Sequence, residues 1–383
     1  MTIPAAADMV FVRREPAQKL LPPVTQVGAI GWARANLFSS IRSTILTLVM
    51  AVAAVWIIND VLHFLVIDAV WSGTDREACL PRDGQEVGAC WAFIHERLSF
   101  FIYGSYPAAG RWRVDVFFLL LAVSGGWTLW LDAPRRDIGA IVFFVALPLV
   151  SFVLLSGWPL IGLPTVETDL WGGMLVTVLV ATVGIVVSLP VGILLALGRR
   201  SDMPAVRFLS ITFIEFVRGV PLITVLFMAS VMLPLFVPPE FSPDKLLRAL
   251  VGMVIFASAY QAEVVRAGLE GIPRGQFEAA KALGLGYWKL HTFIILPQAL
   301  RITIPNIVNS FIALFKDTSL VFFVGIFDFL KTIEIARLDP KWSGPNISLT
   351  GYAFAAIVYF ICCSLMASYA ASVERRLERS DRR

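Results

Sequence analysis

The chain has 383 residues, of which 57% are apolar, 16% charged and 12% aromatic, with a formal net charge of +4 and a mean hydropathy of +0.76. Soluble domains average about 45–50% apolar and roughly 25% charged. Composition therefore excludes a disordered, collagen-like or disulfide-scaffold chain, and apolar runs too long for a globular core exclude an ordinary soluble enzyme.

Runs of about 18 or more apolar residues are long enough to cross a ~30 Å hydrocarbon core as helices. Eight such runs are present: 44–67, 114–131, 138–155, 174–197, 208–236, 249–265, 302–327 and 352–371. A polar tail, 1–42, with Pro4, Pro16, Pro22 and Pro23, precedes the first. No small-residue cleavage site accompanies that first run, which argues against a cleaved signal peptide. With both tails on one side, 20 Lys and Arg fall in segments on the tail side and 10 on the other. Excess Lys and Arg mark the cytoplasmic side, so both termini are expected in the cytoplasm.

The long outer loop between the first two spans holds Cys79 and Cys90. Outside the cytoplasm these are a candidate disulfide or two separate thiols. The aromatic stretch 90–106 in the same loop predicts a short interfacial helix. Near residue 168 the texture changes: spans lengthen, and Gly and Pro become dense. The boundaries read as a tail at 1–42, an accessory region with three spans at 43–168, a permease region at 169–374 and a tail at 375–383. The fourth span carries Gly184, Ser188, Gly192 and Ala196, four apart, a stripe for close helix packing. The fifth is interrupted by Arg218, Gly219 and Pro221, so part of it is expected outside the bilayer.

There is no G-x-x-x-x-G-K-[ST] segment, hence no P-loop, no metal-ligand cluster and no nucleophile–base arrangement. No catalytic residue is assigned. The informative segment lies between the sixth and seventh spans. Residues 277–283 favour a helix, with Ala279 and Ala280 leaving a bare face. Gly284 and Gly286 permit a sharp exit. Residues 287–295 form a second helix, which Pro297 stops or redirects.

Glu278-Ala279-Ala280, Gly284 and Ile294-Ile295-Leu296-Pro297 match the EAA loop of permease subunits of bacterial ABC importers at full spacing. The segments 170–201, 215–222 and 260–268 resemble the polar amino-acid branch, which covers histidine, glutamate/glutamine, arginine and opine importers. The three additional N-terminal spans and their outer loop resemble the M-type permease of general L-amino acid importers. The resemblance implies an all-α integral membrane fold whose C-terminal five spans form a type I, MetI-like permease core. It implies docking on a separate ATPase through Glu278, Ala279, Ala280, Leu283, Gly284, Leu296 and Pro297. It further implies two ATPase subunits that hold ATP and Mg, with no cofactor in this chain. The other implied partners are a second permease, as a heterodimer, and a periplasmic amino-acid-binding protein. The location is the bacterial inner membrane, in contact with lipid and without nucleic acid. The alternative is an ion-coupled secondary transporter, whose folds often show two related halves; no second copy of the 278–297 pattern is present.

Ionisable residues inside spans face a cavity or a partner. Glu215 and Arg218, like Glu263 and Arg266, sit three apart and can touch on a helix. They read as a gate or as ion pairs that hold the fold. In the seventh span Lys316, Asp317, Thr318 and Ser319 offer a site for a free amino acid. Asp317 with the two hydroxyls would accept from the ammonium, and Lys316 or Asn309 would donate to the carboxylate. The competing reading is a structural Lys316–Asp317 contact.

Overall fold

A computed structural model describes residues 28–81, 87–130 and 132–381. Most of the 1–42 tail, and the last two residues of the 375–383 tail, lie outside the described residues. The chain divides into two units, Met1–Asp68 and Ala69–Arg383. In the first, α1 (Gly28–Asn36) precedes α2 (Ile41–Leu62), so the end of the tail is helical. Ser40 caps α2 by accepting from the Ser43 amide, and one π-turn carries the span to Ile67. None of the α2 residues is buried, as expected of a helix apolar on every side and solvated by lipid.

The second unit begins at the disulfide loop. Cys79 and Cys90 are bonded to each other. They stand beside α3 (Trp91–Tyr103), the helix expected at the interface. Its aromatic face is instead buried in protein: Phe93 and Phe101 are fully enclosed. Next come α4 (Arg111–Leu129), α5 (Arg136–Ile141), α6 (Leu147–Ser156), α7 (Gly173–Arg199) and α8 (Pro204–Arg218). They are followed by α9 (Leu222–Phe227), α10 (Leu233–Phe236), α11 (Lys245–Glu270) and α12 (Arg274–Ala282). The chain ends with α13 (Tyr287–Leu290), α14 (Leu296–Asp317), a two-residue strand β1 (Phe327–Asp328), α15 (Phe329–Ala336) and α16 (Ile347–Asp381).

Among the described residues seven helices are long and apolar enough to cross a membrane, or eight if the bent pair Pro204–Arg218 and Leu222–Phe236 is one span. That pair bends by 105°. Pro221, the residue before α9, has no N–H to continue the α8 ladder, which is where the fifth run was expected to break. The helical stretch that contains the seventh span is much longer than read: it runs over 38 residues from Tyr287 to Val324, where about 20 cross a bilayer, so part of it projects beyond the hydrocarbon core. Pro297 does not stop it, because a π-turn over His291–Ile295 widens the helix just ahead of the proline, where an ordinary turn would clash. The 375–381 segment continues α16 rather than forming a separate tail.

The change of texture near residue 168 is not a break in packing. Phe93 and Phe101 of α3 share one buried cluster with Phe329 and Ile333 of α15 and Ala355 of α16. The Cys90 amide donates to Thr350 Oγ1 at 2.9 Å, and Lys341 reaches Glu96 at 2.6 Å. Backbone bridges join Gly104 to Trp171, and Gly172 and Gly173 to Phe327 and Asp328. The small-residue stripe of α7 packs inside the chain: a Cβ on Gly192 would lie 2.7 Å from Gln261 Cβ on α11, and one on Gly184 2.9 Å from Leu314 on α14.

Candidate functional site

Three features occupy the permease region: an exposed short helix, a charged cluster above it and a polar cavity deeper in the bundle. The helix is α12. Its inner face carries Ala280, which belongs to one buried cluster with Ala196 and Leu197 of α7, Leu269 of α11 and Ala299 of α14. The sequence expectation of a bare face at Ala279 and Ala280 is thus half met. Ala279 and Glu278 point outward, while Ala280 is small so that α12 can sit close to its own bundle. The helix ends at Gly284, whose φ of +73° is a conformation that favours glycine. Gly286 is extended, at φ −67°, and makes no such demand.

Around this turn the chain exposes large apolar groups: Leu283 is 79% accessible, Trp288 64% and Phe293 72%. Leu296 and Pro297 open α14 behind them. Phe277 is held by Arg200, whose guanidinium lies 5.5 Å from its ring, and by the edge of His291 at 6.3 Å.

The charged cluster gathers on Glu263 of α11. Arg199, at the end of α7, meets it at 3.0 Å, Arg266 at 3.0 Å and Arg218 at 3.6 Å. Arg199 also meets Glu215 at 2.8 Å, and Arg266 pairs with Glu270. Three carboxylates thus face three guanidiniums, and the charge is balanced within the cluster. Glu263 and Arg266 touch, as their spacing suggested. Glu215 and Arg218 are instead each engaged by another element. Arg199 was legible only as a loop charge, because its partners lie 16 and 64 residues away.

The cavity, of about 240 Å³, lies between α11 and α14 and is lined by Phe256, Tyr260, Gln261, Ser310, Leu314 and Asp317. Gln261 is buried and its Oε1 has no hydrogen-bond partner. The Arg218 guanidinium sits 5.6 Å from the Tyr260 ring, so cavity and charged cluster adjoin. Lys316 does not share this space: it lines a different cavity with Ser319, Leu330 and Tyr359. Thr318 is buried and donates to the Phe315 carbonyl, and Ser319 donates to the Lys316 carbonyl. Asn309 is exposed. Of the residues read as a substrate path in the seventh span, only Asp317 lines the cavity. Tyr260, Gln261 and Ser310 join it unannounced; Tyr260 and Gln261 belonged to a segment read only for its resemblance.

Residues 188–379 match the family of binding-protein-dependent transport system inner membrane components. An inner membrane amino-acid ABC transporter permease protein of Escherichia coli, YhdY, is 49% identical over 91% of this chain and 93% of its own length. The chain belongs to this permease family. The permease is a multi-span membrane subunit and not an enzyme. A second relative is the glutamate/glutamine/aspartate/asparagine transport system permease protein BztC of Rhodobacter capsulatus. It is 41% identical over 98% of the permease and 100% of that protein. These relatives bear out the resemblance to amino-acid ABC importer permeases and decide against an ion-coupled secondary transporter. A crystal structure of an amino acid ABC transporter with histidines aligns over 53% of the permease and 92% of that chain, at 25% identity and a TM-score of 0.46.

Proposed function

We propose that the permease carries L-amino acids from periplasm to cytoplasm as one membrane subunit of an ATP-driven importer. A second permease subunit completes the path. Two separate ATPase subunits bind ATP and Mg, and a periplasmic binding protein delivers substrate. The observation that carries this reading is α12: a helix seated on its own bundle through Ala280, ended by a left-handed Gly284, and rimmed by exposed Leu283, Trp288 and Phe293. Apolar groups displayed together at one end of a membrane protein call for a protein partner. ATP drives the cycle because it binds the two states of the ATPase pair with different affinity. Movement of α12 is passed to α7, α11 and α14 through the buried cluster that Ala280 joins.

Asp317 and Gln261 Oε1 supply acceptors for a substrate ammonium in the cavity between α11 and α14. A carboxylate–ammonium contact in low dielectric is a charge-assisted bond and correspondingly strong. The disulfide loop faces the periplasm, and α12 and both termini face the cytoplasm.

The test is co-purification of the permease with the ATPase, followed by ATP-dependent uptake of labelled amino acids into vesicles. In a chain with Cys362 and Cys363 replaced by alanine, Thr74→Cys should react with an impermeant thiol reagent from the periplasmic side. Lys289→Cys should not. The reverse labelling overturns the orientation; absence of an ATPase partner overturns the function.

A further inference from the structure

A free amino acid in the cavity between α11 and α14 brings a carboxylate as well as an ammonium. The ammonium has acceptors there; the carboxylate needs a donor, because an unpaired charge in low dielectric is costly. The donors expected from the sequence do not supply it: Lys316 lines a different cavity, and Asn309 is not among the lining residues. Ser310 does line the wall, but it spends its hydroxyl proton on the Asn306 carbonyl at 3.0 Å. Asp317 only accepts, and Gln261 serves the ammonium end. Tyr260 is left. It lines the cavity and is 41% exposed, and its hydroxyl has no hydrogen-bond partner among the described residues.

The Tyr260 ring is fixed by two neighbours. Phe256, one turn earlier on α11 and also on the cavity wall, stacks on it at 4.7 Å and 36°. The Arg218 guanidinium lies over it at 5.6 Å from the ring centre, where the ring quadrupole attracts a cation. Arg218 is itself steadied by Glu263 at 3.6 Å, three residues along α11 from the tyrosine. Of the arginines in the charged cluster, Arg218 is the one laid over a cavity residue. It holds the phenol in place and puts positive charge on the side where an anion would arrive. We infer that Tyr260 binds the substrate's α-carboxylate by donating its hydroxyl, and that Arg218 is the positioning residue of Tyr260. This rests on the reading of the cavity as the amino-acid site and adds its missing half: one end of the ligand is read by Asp317, the other by Tyr260. A hydroxyl that donates to a carboxylate makes a charge-assisted bond, so the site demands a free α-carboxylate and discriminates against an amine that lacks one.

The experiment uses the full permease in its transporter complex, reconstituted in nanodiscs without the binding protein, so that the membrane subunits alone select the ligand. The probe is radiolabelled L-glutamine, displaced by unlabelled L-glutamine or by L-glutaminamide, which keeps the ammonium and replaces the carboxylate by a neutral amide. On the parent complex the amide should compete about tenfold more weakly, the effect of losing a hydrogen bond to a charged group. Tyr260→Phe removes a hydroxyl that has no partner in the chain. It should weaken glutamine about tenfold and bring the two ligands to within about threefold of each other. Arg218→Gln should weaken glutamine about three- to tenfold and narrow the same ratio, and Arg218→Lys, which keeps a cation for the ring, should recover part of both. An Arg218 that serves only its ion pair with Glu263 would lower the thermal midpoint and leave the ratio as in the parent, which overturns its positioning role. Tyr260→Phe that leaves glutamine affinity within about twofold, or weakens both ligands equally, overturns the assignment of Tyr260. Asp317→Asn in the same assay reports on the cavity itself. If it weakens glutamine and Tyr260→Phe does not, the assignment of Tyr260 falls alone. If neither does, or if the parent binds no glutamine, the reading of the cavity falls with it.

Discussion

Arg199, at the C-terminus of α7, reaches Glu263 in the last third of α11 at 3.0 Å, and through Glu215 it also holds α8 at 2.8 Å. One guanidinium thus ties three elements of the permease core just ahead of α12. Glu263 in turn answers Arg199, Arg218 and Arg266, so its loss leaves three cations crowded around a gap. Removing one partner of a buried pair costs about 3–5 kcal/mol, and partial exposure reduces this. The Glu263 side chain is 17% exposed and the arginines 24–35%. Glu263→Gln should therefore destabilise the solubilised permease by about 2 kcal/mol, read as a lower thermal midpoint. Glu270→Gln, at the outer edge of the cluster, should change it by less than half as much. Equal effects would show that Glu263 is not the centre.

Gly284→Val tests the turn after α12. A Cβ there meets nothing within 4 Å, so space is not the obstacle; the φ of +73° is. A left-handed backbone costs ordinary residues about 1–2 kcal/mol, and Asn tolerates it best. The valine variant should reach the membrane in normal amount, fail to retain the ATPase on purification and lose uptake. Gly284→Asn should keep most of both. Normal uptake by the valine variant would sever this turn from coupling.

Most of the architecture is legible in the sequence, because lipid imposes a simple rule: backbone polar groups must be satisfied within the helix, so spans show as apolar runs. The EAA-like spacing likewise announces α12, since a short helix and its left-handed exit are local events. What escapes is what depends on distant partners. Arg199 reads as a loop charge until α8 and α11 fold against it. The aromatic residues of α3 look interfacial because nothing nearby in sequence foretells α15 and α16 covering Phe93 and Phe101. Pro297 reads as a stop because a π-turn that accommodates it leaves no clear mark in composition.

Lys316 and Asp317 are adjacent in sequence but line different cavities, which changes what a double mutant should do. Asp317→Asn keeps size and hydrogen bonding and removes only charge. Loss of a charge-assisted contact worth about 1.5–3 kcal/mol predicts a ten- to hundredfold weaker apparent affinity for substrate. Complex assembly and basal ATP hydrolysis should persist. Adding Lys316→Met should not restore uptake, whereas Gln261→Leu should mimic the aspartate change. Rescue by Lys316→Met would reinstate a structural pair and remove Asp317 from the substrate path.

Asp328 makes stability depend on pH in an unusual direction. It lies between the span that ends at Val324 and the one that starts at Ile347, and caps α15 by accepting from the Leu330 and Lys331 amides at 3.0 and 3.2 Å. Burial raises its carboxyl from 3.8 to about 6 even against those amides, and the charge of Glu334 adds to the rise. Tyr359 packs on Phe329 at 6.0 Å between ring centres, and Lys331 is engaged by Glu334 at 3.0 Å. The folded state therefore holds this proton more tightly than the unfolded state does. Its contribution to stability is full below about pH 4, falls as pH rises towards 6, and is absent above. A shift of about two units corresponds to on the order of 2–3 kcal/mol. Asn also caps helices well and carries no charge. Asp328→Asn should thus raise the thermal midpoint of the solubilised permease at pH 7.5. The gap between variant and parent should shrink as pH falls from 6 to 4, while carboxylates elsewhere titrate equally in both chains. A gap that stays constant over that range would show that Asp328 folds already ionised, with its two amide bonds outweighing burial.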